Sequence, residues 1–147
     1  MNFFDYLNKS VTEIDKIISK QLLEQSYNIQ DTNIKKQILF QAFNNNPRDI
    51  NVLIQFGMLL IYDDNKQYEY FGYILLEKVF DSSFVNHIFP INTYQGKYIA
   101  VIVGRYNHLK HKYKTAQKFF KIANSSNYIP DDAQSIQLTT WITGFLS

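Results

Sequence analysis

Two histidines, two pairs of acids and a run of basic residues are the side chains here whose types and spacing could do chemistry. His108 and His111 stand three apart, a spacing that lets two imidazoles share a helix face as metal ligands. No carboxylate lies near them and they fall at a predicted turn between helices, so they read as part of a solvated basic turn. Asp63-Asp64 and Asp131-Asp132 could serve as acid and base if burial separated their pKa values. Both pairs sit at predicted helix boundaries, where turn formation and capping account for them. The chain has no Cys, which excludes a thiol nucleophile, a zinc ribbon and a disulfide framework. Its five glycines, at 57, 72, 96, 104 and 144, assemble neither a phosphate loop nor a dinucleotide fingerprint. The expectation is a protein that is not an enzyme, with no catalytic, cofactor-binding or metal residues to nominate, no cofactor and no small-molecule ligand.

Charge is the polar feature that stands out. From Ser82 to Pro130 the basic residues are Lys97, Arg105, Lys110, Lys112, Lys114, Lys118 and Lys121, and there is no acid. The net charge of +2 therefore conceals a segment at +7, while the other eight basic residues share the rest of the chain with all thirteen acids. Tyr98, Tyr106, Tyr113 and Tyr128 lie among these charges, a combination that suits an acidic peptide, RNA or an anionic surface. Lysines covering the solvent face of a helix pair would give the same pattern.

Apolar residues at helical spacing supply the elements that position these groups. Ile14, Ile17, Ile18 and Leu22 form the apolar face of a first helix opened by a Ser10/Glu13 capping box, and Ile34, Ile38, Leu39, Ala42 and Phe43 that of a second, capped by Asp31. Asn44-Asn45-Asn46-Pro47 stops the second, because short amides compete for backbone bonds and proline displaces its predecessor from the helical region. Further helices are predicted over 48–62, 68–80, 97–109 and 113–123, with a loop over 84–95 containing Pro90. An Asp131/Gln134 capping box opens a last helix whose Leu138, Trp141, Ile142 and Phe145 share a face. At 147 residues and 46% hydrophobic the chain is long enough for one domain with a core. No window approaches the roughly 18 apolar residues of a membrane span. The opening Met1-Asn2-Phe3-Phe4-Asp5-Tyr6 places an acid where an export signal needs a basic region, which points to a cytoplasmic protein.

Three helix ends look alike: 40–46, 77–83 and 120–126, with Phe43, Phe80 and Ala123 separated by 37 and 43 residues. Each interval holds one helix pair and a loop. Within this frame Val103-Gly104, Ala116, Phe120 and Ala123 resemble the tetratricopeptide repeat (TPR), which places Leu-Gly on its first helix and a small residue followed by an aromatic on its second. Leu53, Phe56-Gly57, Leu60, Leu76 and Val79 follow the same frame in the second unit, with Gly72 or Tyr73 as the small residue. The match is divergent: Ala100 and Leu53 occupy the Trp position, Asn107 and Leu60 the aromatic one. The resemblance implies an all-α right-handed array of antiparallel helix hairpins in a single TPR-like domain. Its repeats cover about 11–47, 48–84 and 96–130, followed by a capping helix over 131–146.

Fold and function of the family imply a non-catalytic module that binds a protein or peptide segment, an acidic one included, in a concave groove. Candidate partner-binding residues are Asn51, Gln55, Arg105, Asn107 and His108 on first helices, with Lys110, Lys112 and Lys114 beside them. Some TPR domains clamp a chaperone's terminal carboxylate with an Asn directly after the first-helix Gly. Met58 and Arg105 stand there in this chain, which disfavours that partner. TPR arrays also precede glycosyltransferase domains, so the helical N-terminal region of a larger enzyme is an alternative, which the apolar ending Trp141-Ile142-Thr143-Gly144-Phe145-Leu146-Ser147 keeps open. An RNA-binding helical repeat, resting on the basic third unit, is a second alternative.

Overall fold

Among the described residues, five of the six α-helices begin where a short polar side chain closes the first turn. The computed structural model describes residues 3–85 and 89–128. It contains a 3-10 helix, Phe3–Asn8, then α1 (Glu13–Ser26), α2 (Thr32–Asn45), α3 (Ile50–Leu60), α4 (Lys66–Lys78), α5 (Tyr94–Leu109) and α6 (Tyr113–Ser125). No strand occurs among the described residues, and the chain is all-α there. Thr12, Asp31, Asp49, Asn65 and Thr93 each accept a hydrogen bond from an otherwise orphaned first-turn N–H. The capping box of α1 is therefore Thr12/Asp15, with both reciprocal bonds at 3.0–3.1 Å, and not Ser10/Glu13. The helix predicted over 131–146, with its Asp131/Gln134 box and Trp141, lies outside the described residues.

The chain divides into two compact units, Met1–Ile88 and Phe89–Ser147. In the first, α1 packs on α2, α2 on α3 and α3 on α4. Phe43, Phe56 and Phe71 meet at its centre with ring centroids 5.7 to 6.5 Å apart, and Tyr6 of the 3-10 helix stands edge-on to Phe40 at 5.5 Å. Arg48 holds the chain that follows α4, donating to Phe84 O at 3.0 Å with its guanidinium over the Phe84 ring. In the second unit α5 packs on α6.

Glycines set how closely the helices of two pairs approach. A Cβ on Gly57 would lie 2.9 Å from Leu76 Cδ2, and one on Gly104 2.9 Å from the Phe120 ring. In each pair the overlying side chain stands four residues after a small buried residue, Gly72 in α4 and Ala116 in α6. Gly72 is thus the small residue of the second unit; Tyr73 is half-buried. Counted from the same contacts, Val79 corresponds to Ala123, one residue before the Phe80 of the helix-end alignment.

The first helix turns its apolar face the other way from expectation. Ile14 and Ile17 are 69% and 58% exposed, and Ile18 is exposed too, while Ser19, Leu23 and Ser26 are buried. Ser19 lies where α1 meets α2, its hydroxyl donating to Ala42 O at 2.8 Å. A buried hydroxyl so satisfied carries no desolvation penalty.

Candidate functional site

In the second unit the basic residues gather around the end of α5 and along α6. A Schellman closure ends α5: Lys112 N–H donates to Asn107 O at 2.9 Å and His111 N–H to His108 O at 3.0 Å. This leaves His111 at φ 61°, in the left-handed region where glycine is usual and a side chain costs about 1–2 kcal/mol. The imidazole held there braces Tyr113. Its Nδ1 lies 2.7 Å from the Tyr113 hydroxyl, and the His108 and His111 rings stand edge-on to Tyr113 at 5.2 and 5.8 Å. Tyr113 itself stays 52% exposed. Beyond it Lys114, Lys118 and Lys121 follow at i, i+4 and i+7, beside Gln117, along an open groove of about 640 Å³.

No acid lies between Ser82 and Pro130, so no carboxylate among the unit's described residues offsets these cations. Six of the seven basic residues of that segment are exposed. Lys97 is the exception, buried with its Nζ 3.4 Å from Tyr128 O. The summed field on this face is positive and attracts anions.

The first unit carries a different recess, of about 380 Å³, between α2, α3 and α4. Phe40, Phe56 and Leu60 supply apolar walls, and Lys36, Gln37, Gln41 and Tyr68 polar groups. Lys36 is already ion-paired with Asp63, and its ammonium lies 5.5 Å from the Tyr68 ring centroid. The hydrogen bond from Lys36 holds the Asp63 carboxyl below the usual carboxylate range against the opposing effect of burial. With that charge matched, the recess suits an apolar side chain with amides at its edge. Its volume falls within the roughly 300–1,000 Å³ of ligand pockets.

The nominated residues divide between these places. Arg105, Lys110, Lys112 and Lys114 are exposed on the second unit, and His108 is half-buried against Tyr113. Asn107, expected to face a partner, is buried instead: its side-chain amide donates to Val103 O at 2.8 Å while its carbonyl caps the turn. It shapes the basic turn from within. Asn51 and Gln55 belong to the first unit, the one exposed and the other half-buried on α3, and do not line the recess. Gln37, Gln41 and Tyr68 had no local signal, since three helices distant in sequence make the recess. Lys118 and Lys121 were counted among the charges, and their helical spacing from Lys114 could have singled them out. Among the described residues no three His, Cys, Asp or Glu cluster as metal ligands, and no helix is long and apolar enough to cross a membrane.

Comparison with known proteins finds no matching family model, no similar curated protein and no similar solved structure.

Proposed function

We propose that the chain is a non-catalytic interaction module, a divergent TPR-like array of antiparallel helix hairpins that binds a segment of a partner protein. Two features support the repeat: the shared glycine crossings at Gly57 and Gly104, and the small residues four positions before Leu76 and Phe120. The observation that carries the binding function is the recess of the first unit. Phe40, Phe56 and Leu60 line it, Gln37 and Gln41 offer amide donors and acceptors at its edge, and the Lys36–Asp63 pair leaves it no unmatched charge. A peptide segment that inserts one bulky apolar side chain, with its backbone bonded to the two glutamines, matches that chemistry. Helix pairs stacked side by side hold such a recess rigidly without any part in catalysis.

The test is selection of a displayed random-peptide library on the full chain and on a Gln41→Trp variant, whose indole would occupy the recess. Enriched peptides should share a bulky apolar residue and lose binding to the variant by tenfold or more, with its thermal midpoint unchanged. Peptides without that residue, or peptides that bind both proteins equally, contradict the reading.

A further inference from the structure

We infer that the second unit carries a separate binding face for single-stranded nucleic acid, formed by Tyr113 and the lysine row Lys114, Lys118 and Lys121. The lysines lie on one side of α6 along the open groove. Seven residues of helix rise about 10 Å, a run that roughly three phosphates of a stacked strand would span. All three lysines are exposed, the Lys118 ammonium lying 5.4 Å from the Phe119 ring centroid, and the chain has no acid between Ser82 and Pro130.

Charge alone suits any polyanion; the aromatic group at the head of the row decides between them. Tyr113 is half exposed, and the edge-on His108 and His111 rings fix its orientation. A fixed aromatic ring beside a cationic track is how base stacking combines with phosphate contacts, without regard to base identity. An acidic peptide offers carboxylates to the track but a flat group only where its sequence has an aromatic residue, whereas every nucleotide carries a base with a π-face. An anionic bilayer would meet the lysines alone, since Ala116, Phe119, Phe120 and Ala123 of α6 are buried and Ile122 is half-buried, and it offers no flat group to the ring.

The experiment is fluorescence anisotropy of a labelled oligouridylate of roughly 12 nucleotides with the full chain. It is run at about 50 and 200 mM salt for the wild type, Tyr113→Ala, Tyr113→Phe and the combined Lys114→Gln, Lys118→Gln and Lys121→Gln variant. The wild type should bind with a log–log salt slope of about 0.7 per phosphate contacted; the triple variant should lose at least tenfold in affinity and about 2 from that slope. Tyr113→Ala should lose about tenfold with its slope unchanged, while Tyr113→Phe, which keeps the ring but not the His111 bond, should lose less. Thermal midpoints of all variants should match the wild type, and Gln41→Trp should bind the oligonucleotide normally, which separates this face from the recess. Tyr113→Ala binding as tightly as wild type overturns the inference, as does displacement of the oligonucleotide by polyglutamate or phosphatidylserine vesicles at equal charge. Absence of binding at the lower salt overturns it as well.

Discussion

Gly72 and Gly104 both lie at helix crossings, yet they meet neighbours of different stiffness. A Cβ on Gly72 would sit 2.9 Å from Gly57 O and from Ile61 N, which are backbone atoms and cannot turn aside. A Cβ on Gly104 meets first the Phe120 ring, a side chain and not backbone, 2.9 Å away. Gly72→Ala should therefore destabilise by about 1–3 kcal/mol and Gly104→Ala by less, since alanine's helix propensity offsets part of a side-chain contact. Gly104→Leu exceeds what the ring can yield and should cost more than about 2 kcal/mol. Urea midpoints of the three variants check the order, and equal losses for the two alanines would refute it. Acid stability is decided at a second residue. A carboxylate whose folded pKa is depressed contributes stability above its unfolded pKa of about 3.9 and loses it as pH falls through the folded value. Asp63 is in this position through Lys36, Asp81 through Ser83 and Asp15 through Thr12. Urea midpoints measured from about pH 6 down to pH 2 should fall for the wild type and fall less steeply for Asp63→Asn.

At the scale of helices, α1 separates apolar pattern from packing. Its isoleucine face is solvent-exposed, so Ile14→Gln, Ile17→Gln and Ile18→Gln should each change stability by no more than about 0.5 kcal/mol, whereas Leu23→Ala removes a buried side chain and should cost about 2–4 kcal/mol. Large losses from the isoleucine variants would place that face in the core after all. Helix positions were legible in the sequence because caps and stops are local: Asp31, the Asn44–Pro47 stop and the turn before α4 lie where short polar side chains put them. Helix rotation was legible where glycine imposed it, at Gly57 and Gly104. It was not legible in α1, where Ser19, bonded to the distant Ala42 O, is buried and three isoleucines are exposed. The same limit hid much of each site. A stop at His111 needs a left-handed residue that nothing in its neighbourhood announces, and the burial of Asn107 follows from that turn.

On the scale of the whole molecule the proposed binding chemistry is divided between the two compact units, with a charge-matched apolar recess on Met1–Ile88 and a cationic aromatic face on Phe89–Ser147. The basic segment could be read directly from the distribution of lysines and acids, since charge needs no fold to be counted. The recess could not, because α2, α3 and α4 make it only once packed. Division of labour between the units is the central claim, and amide chemical-shift mapping of the isotope-labelled full chain tests it most directly. Titration with oligouridylate should move resonances of residues 105–121 and leave those of 36–41, 56–60 and 68 in place, and a library-selected peptide should do the reverse. Shifts from both ligands on the same residues, or from neither ligand on its own surface, would contradict the account.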